Sequence, residues 1–393
     1  MVRAVSVGCL LLLVVLGNLG VVAAQDSADR SDAEELAQVF SRGSPEEVRA
    51  AIAAGADIEG RYSRTYIARS CYGPARSYER MIESEHSYTP LMLASTSHGP
   101  DRIKALLELG ADVHARTEGG LTALMIASCL GSPENVRVLL EAGADIEARS
   151  VNGWTALIFA SGAYYFQNSE WRASERIPVL VEAGANLEAR SLNGRTALYY
   201  AVGAKNLDAV TALLAAGADP NARSSGAWAP VILAGRDGST EIIEALVAAG
   251  ADVNARNSGG YTALMYAAGF ATRDAVEALL RAGADTEART EDGTTALLYL
   301  IGARGDEERL DVIRALVEGG ADLAARYPPN GMTILHAYLQ YGATPEEIEV
   351  LLDGGADPRA VTDDGISVFD LARRSEALRG TSVFWRLNDA RFQ

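Results

Sequence analysis

The stretch Gly143-Ala144-Asp145-Ile146-Glu147-Ala148-Arg149 decides the fold, because close copies of it recur along most of the chain. The copies begin at Gly55, Gly110, Gly143, Gly184, Gly217, Gly250, Gly283, Gly320 and Gly355. The spacing that recurs most often is 33 residues, and the longer intervals mark insertions. A period of this length predicts stacked supersecondary units, none of which can bury its apolar face alone.

Each repeat has the pattern of two short helices joined by a turn. In the clearest copy, apolar residues spaced three and four apart predict one helix after Thr122 and another over Pro133 to Glu141. Thr122 is placed to cap the first helix, and Gly143 to end the second in the left-handed conformation. Asn152-Gly153 then supplies a tight turn into the next repeat.

Two further motifs make a family resemblance specific. Thr-Ala-Leu-X-X-Ala occurs at 122, 155, 196 and 262, and Thr89-Pro90-Leu91-Met92 is a related start. With the Gly-Ala-Asp series, these motifs resemble the ankyrin repeat, although the histidine of that family stands only at His336. The resemblance implies an all-α solenoid of about ten helix-turn-helix units with β-turn connections. It also implies that the chain binds a protein or peptide partner.

The repeat pattern and its interruptions predict the organisation of the chain. The predicted segments are a signal peptide (1–24), an N-terminal capping helix pair (25–60), a Tyr/Arg-rich insertion (61–87), ankyrin repeats (88–366) with an insertion at 163–176, and a C-terminal capping unit (367–393).

Residues 1–24 have the pattern of an export signal. Arg3 precedes a run of mostly apolar residues over 4–24, and Val22-Ala23-Ala24 offers small residues at a cleavage position. The sequence therefore predicts an exported protein of bacterial type, periplasmic or secreted, cleaved after about Ala24. The alternative is a retained segment that makes the chain a membrane-tethered structural or anchoring protein, because about 20 apolar residues can span a bilayer.

Charge and motif content argue against several classes of function. The formal net charge of −17 disfavours binding to nucleic acid or to an anionic membrane surface. The four histidines lack metal-ligand spacing, and neither a Gly-X-Ser-X-Gly motif nor a phosphate-cradling glycine loop occurs. We therefore expect a monomeric, non-catalytic protein with no metal, no cofactor and no small-molecule substrate.

Both insertions are rich in the residues that dominate protein interfaces. The first, Arg61 to Glu85, carries four tyrosines and five arginines, and the second, Tyr164 to Trp171, carries four aromatic residues. Tyrosine, tryptophan and arginine are enriched among residues that contribute most to binding energy. The alternative is that both are loops packed against their own scaffold.

Two rows of aromatic residues extend this predicted surface. One row lies just before each helix cap and the other four residues after it, and the resemblance implies that both border a concave groove. Packing between repeats is the alternative. The predicted partner-binding residues are Tyr66, Arg69, Tyr72, Arg76, Tyr88, Trp154, Phe159, Tyr165, Trp171, Tyr200, Trp228, Tyr261 and Tyr266. We expect alanine at Trp154, Trp228 or Tyr261 to weaken binding at nearly unchanged stability.

Two other patterns have structural interpretations. An arginine ends eight of the nine copies of the opening stretch, and seven of these have an aspartate four residues earlier. We expect the aspartates largely to neutralise the arginines, so we assign the arginine row to structure rather than to anion binding. Cys71 and Cys129 would remain after cleavage of the signal. They could form a disulfide in an oxidising compartment, or both could stay reduced.

Overall fold

The computed structural model describes residues 27–62, 87–97, 99–162, 173–270, 272–302 and 306–392. Within these residues the chain is helical, and its β-structure is confined to isolated bridges such as Tyr62 with Tyr88. The predicted all-α fold is therefore confirmed. The chain divides into two compact units, Met1–Ala218 and Asp219–Gln393, hereafter the N-terminal and C-terminal units.

The described part of the N-terminal unit consists of two parallel rows of helices. Odd-numbered helices pack on one another in one row, and even-numbered helices pack in the second. The helices are α1 (Ser27–Arg42), α2 (Pro45–Ala53), α3 (Pro90–Ala94), α4 (Asp101–Glu108), α5 (Ala123–Leu130), α6 (Pro133–Glu141), α7 (Ala156–Ser161), α8 (Ala173–Glu182), α9 (Ala197–Gly203) and α10 (Leu207–Ala215).

The C-terminal unit repeats the same two-row arrangement. Its helices are α11 (Pro230–Asp237), α12 (Thr240–Ala248), α13 (Ala263–Gly269), α14 (Arg273–Arg281), α15 (Ala296–Tyr299), α16 (Asp306–Glu318), α17 (Ile334–Tyr341), α18 (Pro345–Asp353), α19 (Val368–Ala372) and α20 (Ser382–Asp389). Short 3-10 turns follow α15 at Leu300–Gly302 and α20 at Ala390–Phe392.

Local sequence explains where these helices begin and end. The Thr122 hydroxyl accepts a hydrogen bond from the Met125 amide at 3.3 Å, as predicted for an N-cap. Past α6, Gly143 has φ +86°, a left-handed conformation that costs glycine little. Between the helices, Leu124 and Leu139 are fully buried. Burial of such a side chain stabilises the fold by roughly 1.5–3 kcal/mol.

The polar residues of the opening stretch connect neighbouring repeats. Asp145 Oδ1 accepts from the Glu147 amide at 3.0 Å and holds the loop after α6 in shape. Glu147 Oε1 accepts from the Asn186 amide of the next repeat at 2.8 Å. Arg149 Nη1 donates to the Arg190 carbonyl, also of the next repeat, at 2.8 Å. The polar side chains of this loop thus both shape it and bond it to the next repeat.

The C-terminal unit uses the same positions. Asn221, which stands where Glu147 stands, accepts from the Asp252 amide at 2.7 Å and donates to the Gly250 carbonyl at 3.0 Å. Arg223 donates to the Arg256 carbonyl at 3.1 Å. The arginine row has the structural role predicted for it. In most of the described repeats, its guanidinium groups donate to backbone carbonyls, while Arg289 pairs with Glu287. The aspartates accept from the amides of their own loops.

Candidate partner-binding surface

In most repeats, a short polar side chain just after the opening stretch shapes the turn that precedes the first helix. Asn257 Oδ1 accepts from the amides of Gly259 and Tyr261, both at 3.0 Å. Ser150 Oγ accepts from the Trp154 amide at 3.2 Å. These polar residues recur at the repeat spacing, and no role was predicted for them from the sequence. In six repeats the side-chain oxygen accepts from the amide four residues later, and the residues are Thr117, Ser150, Ser191, Asn257, Thr290 and Thr362.

The turns are also bonded to one another within each unit. The Val151 amide donates to the Gly119 carbonyl at 2.9 Å, and the Ser258 amide donates to the Gly226 carbonyl at 3.0 Å. A side chain at Gly120 would be strained, because its φ is +75° and a Cβ would lie 3.2 Å from Ser150 Cα. The residue just before each cap is therefore held on a fixed backbone.

In the C-terminal unit these turns and helices bring four rings together. We call Trp228, Tyr261, Tyr266 and Tyr299 the aromatic surface. Tyr266 lies 5.1 Å from Trp228 and 5.5 Å from Tyr261, measured between ring centroids. Tyr299 meets Tyr261 edge to face at 5.5 Å. All four side chains are only half-buried, so part of each ring reaches solvent.

Polar contacts fix the orientation of these rings. Asn257 Nδ2 donates to the Tyr266 hydroxyl at 3.3 Å. The Arg236 guanidinium lies 5.6 Å from the Trp228 ring centroid and pairs with Asp237 at 2.9 Å. Burial is the main cause that raises the pKa of the Tyr266 phenol, and it also raises the pKa of the Tyr299 phenol. Both phenols therefore stay neutral near pH 7.

A glycine provides the space for the last ring. A Cβ at Gly269, at the end of α13, would overlap the Tyr299 ring of the next repeat. Any larger residue would force that ring to move. The position of Tyr299 beside Tyr261 thus depends on a glycine 30 residues earlier in the chain.

A pocket of about 400 Å³ opens between the repeat that carries Tyr299 and the following repeat. Thr294 and Met332, which line it, stand just before the caps of α15 and α17. Ala337, also in the lining, lies four residues after a cap. These are the same two rows that carry the aromatic surface, so the pocket lies where the rings give way to smaller residues.

The N-terminal unit contains a second aromatic group, and Trp154, Phe159 and Tyr200 of this group stand in the same two rows. Trp154 lies 5.3 Å from Phe159 and 4.9 Å from Tyr200, measured between ring centroids. The Tyr200 hydroxyl donates to Ser191 Oγ at 3.2 Å. Trp154, Phe159, Tyr199 and Tyr200 are 7, 1, 7 and 8% exposed. We call these four residues the aromatic cluster, and their burial is that of a core.

Models of the family described as ankyrin repeats (3 copies) match residues 36–150, 91–171, 148–224 and 225–290. Together these matches cover more than half of the chain. The chain belongs to the ankyrin-repeat family. Ankyrin repeats are typically non-catalytic and generally bind protein partners.

Individual relatives share only parts of the chain. The BTB/POZ domain and ankyrin repeat-containing proteins NH5.2 and NH5.1 of Oryza sativa subsp. japonica are each 42% identical over 64 residues. The matched segment spans 16% of this chain and 13% of each relative. The crystal structure of the ankyrin repeat domain of Bcl-3, a unique member of the IkappaB protein family, is 30% identical. It covers 58% of this chain and 98% of its own, with a TM-score of 0.49.

The ankyrin fold places the predicted binding residues in three different situations. Trp228, Tyr261 and Tyr266 lie together on the aromatic surface, which Tyr299 completes although the prediction did not include it. Tyr88, Trp154, Phe159 and Tyr200 are buried. Tyr66, Arg69, Tyr72, Arg76, Tyr165 and Trp171 lie outside the described residues. A partner role for any of them stays a prediction, but the burial of Trp154 contradicts the expectation that its truncation leaves stability nearly unchanged.

Other predictions also fall partly outside the described residues. The predicted signal (1–24) and Cys71 lie there, so export and the disulfide stay predictions, while Cys129 is buried in α5. Among the described ankyrin helices, none is long and apolar enough to cross a membrane. The same described residues contain no group of three or more His, Cys, Asp or Glu side chains placed to hold a metal ion.

Proposed function

We propose that this chain is an exported, non-catalytic ankyrin-repeat scaffold that binds a protein or peptide partner through the aromatic surface of its C-terminal unit. The observation that supports this most is the contact of four half-buried rings across three consecutive repeats. Rings of this kind offer a large contact area at small entropic cost. In the aromatic cluster, by contrast, the rings are buried.

Preorganisation favours the same surface. The Tyr261 amide is held by Asn257, and the same side chain bonds the Tyr266 hydroxyl. A partner that covers these rings would order few groups that were free before binding, which lowers the entropic cost of association. Truncating one buried aromatic anchor at an interface typically weakens binding by about 2 kcal/mol or more.

The two insertions are proposed as additional contacts. Tyr66, Arg69, Tyr72 and Arg76 of the first, with Tyr165 and Trp171 of the second, have the side-chain types of interface residues. Charge reversal at Arg69 and Arg76 should slow association mainly at low salt, because exposed charges act chiefly on the encounter rate. Association rates measured at two salt concentrations test this.

Comparative affinity capture tests the main proposal. The full chain, Trp228→Ala, Tyr261→Ala and Phe270→Ala would be used as baits in extracts of the producing cells and their medium. Phe270 is the matched control, because its ring is exposed and lies in the same repeat as Tyr261. It stands neither in the row just before the caps nor in the row four residues after them. We expect a partner retained by the full chain and by Phe270→Ala, and weakened at least about tenfold by the other two variants.

Equal recovery with all baits would contradict the proposal. Melting temperatures of the baits separate lost affinity from lost folding. If Trp228→Ala and Tyr261→Ala only lower stability, the four rings belong to the core.

Export is part of the proposal and has its own test. Sequencing the N-terminus of the mature chain should give a start near Gln25, as cleavage after Ala24 requires. An intact Met1 in membrane-associated protein would instead favour the tethered, anchoring function.

A further inference from the structure

We propose that the pocket beside the aromatic surface binds one large apolar side chain of the partner, and that a lysine or arginine next to that side chain pairs with Asp292. This inference rests on the proposed function and names its partner chemistry. The segment bound by the C-terminal unit is apolar and basic, rather than acidic.

The pocket exists because two rows of large side chains are interrupted. In the row before the caps, Trp228 and Tyr261 are followed by Thr294. In the row after the caps, Tyr266 and Tyr299 are followed by Ala337. The smaller side chains leave a cavity of about 400 Å³ next to the repeat of Tyr299, within the size range of ligand-binding clefts. A partner lying along the rings would meet this cavity next.

The lining of the pocket is suited to an apolar group. Leu298 and Ile301 from the α15 region face it together with Met332 of the following turn. Tyr341 at the end of α17 also lines it and is 66% exposed. Among the described residues, Tyr341 has neither a ring partner nor a hydrogen-bond partner for its side chain. An apolar side chain in the pocket would cover part of this ring.

The charge at the pocket favours a cation. Asp292 is the charged residue among the described members of the lining, and it is exposed. It makes no ion pair or side-chain hydrogen bond with the described residues, and Glu291 beside it adds a second exposed carboxylate. A basic group of the partner at the pocket therefore meets the Asp292 carboxylate, on a chain whose net charge of −17 also attracts it.

The nearby cations are already engaged. Arg289 pairs with Glu287 at 3.7 Å and lies 5.3 Å from the ring centroid of Tyr327. Arg326 donates to the Gly331 and Val361 carbonyls, both at 3.0 Å. Neither of these two arginines pairs with Asp292.

Selection from displayed random peptides tests the inference on the full chain. We expect enriched peptides to share a large apolar residue adjacent to lysine or arginine. Their affinities would then be measured for the full chain and for two variants, Thr294→Trp and Asp292→Lys. Tryptophan at 294 fills the pocket, and the scaffold accepts it because Trp154 and Trp228 occupy the same row. Asp364→Lys is the control, since Asp364 is exposed on a later turn and does not line the pocket.

We expect Thr294→Trp to weaken binding at least about tenfold, as for loss of an interface anchor. Asp292→Lys should weaken it most at low salt, and Asp364→Lys should change it little. Each variant should melt like the full chain. Enrichment of acidic peptides, or unchanged binding to Thr294→Trp, would overturn the inference.

Two further outcomes separate this inference from the proposed function. Peptides that lose affinity for Trp228→Ala but not for Thr294→Trp would leave the proposed function standing and remove the pocket from it. Failure to enrich any peptide, or enriched peptides whose affinity depends on neither residue, would contradict both.

Discussion

The aromatic cluster of the N-terminal unit and the aromatic surface of the C-terminal unit are built at the same repeat positions. Trp154 and Trp228 both precede a helix cap, and Tyr200 and Tyr266 both lie four residues after one. Both tyrosine hydroxyls bond the polar residue that follows an arginine. Yet the first group is buried and the second is half-buried.

The two groups differ at one position that contacts the tryptophan in the first group. Trp154 contacts Phe159 of its own repeat in addition to Tyr200. At the position of Phe159 the C-terminal unit has Leu233, which covers less of an indole than a second ring does. The comparison teaches that an aromatic residue at a groove position is evidence for binding only when its neighbours leave it exposed.

The largest effect that would test this comparison is on stability. Trp154→Ala should lower the free energy of unfolding by about 3–5 kcal/mol, because it removes a buried ring from a packed core. Trp228→Ala should lower the free energy of unfolding clearly less than Trp154→Ala does. Urea denaturation of both variants measures the difference, with Val151→Ala, an exposed residue of the same turn as Trp154, as the control. Equal costs for the two tryptophans would break the comparison.

A second substitution separates stability from binding inside the C-terminal unit. Glu347 pairs with Arg309 at 2.8 Å and accepts from the Thr344 amide at 3.0 Å, and it is buried. Glu347→Ala leaves a largely buried guanidinium without its partner, so we expect a loss of about 3 kcal/mol in unfolding free energy.

The neighbouring Glu346 is exposed and is the matched control. Glu346→Ala should change the unfolding free energy by less than about 0.5 kcal/mol. Partner affinity of folded protein should be the same in both variants. If folded Glu347→Ala bound the partner more weakly, the packing of α18 and the aromatic surface would not be independent.

A pH dependence should appear in the C-terminal unit. His336 is buried, with Nδ1 accepting from the Thr333 amide and Nε2 donating to the Ile366 carbonyl. Burial lowers the pKa of its imidazole below the usual value of about 6.5. The unfolded chain therefore takes up the proton first as the pH falls. The contribution of His336 is fully present above about pH 6.5 and declines below it, down to the lowered pKa.

Urea denaturation between about pH 5 and 8 measures this decline. The difference between the full chain and His336→Asn should change by at most about 1.4 kcal/mol per pH unit. His114 is exposed, so His114→Asn should keep the full pH dependence. A difference curve that is flat through this range would contradict the neutral, buried state of His336.

The smallest expected effect comes from the residues that hold the rings. Asn257→Ala removes the acceptor of the Tyr261 amide and the donor to the Tyr266 hydroxyl. Ser191→Ala removes the equivalent bonds to Arg195 and Tyr200. Each should cost about 1 kcal/mol of stability. Only Asn257→Ala should also lower partner affinity, measured by titration, because Tyr261 and Tyr266, which Asn257 holds, are the exposed rings. An equal effect of both on affinity would contradict the assignment of binding to the C-terminal unit.

Local sequence was sufficient to predict the repeat and its caps. Thr122 and Gly143 act as predicted, because an N-cap and a left-handed helix end depend on the residue and its immediate neighbours. Arg149 has the structural role that the sequence predicted, but its hydrogen-bond partner in the next repeat was not predicted. Its partner is a carbonyl 41 residues away, which nearby charges in the sequence do not reveal.

The sequence by itself determined the period, the two rows of helices and the rows in which large aromatic residues stand, since all of these follow from spacing. Only the tertiary structure decided which aromatic residues reach solvent. The exposure of Trp154 and Trp228 depends on side chains from other helices and neighbouring repeats. How closely those side chains approach the two indole rings does not follow from their positions in the chain. The pocket beside Tyr299 has the same origin, because a cavity is a property of the space between repeats.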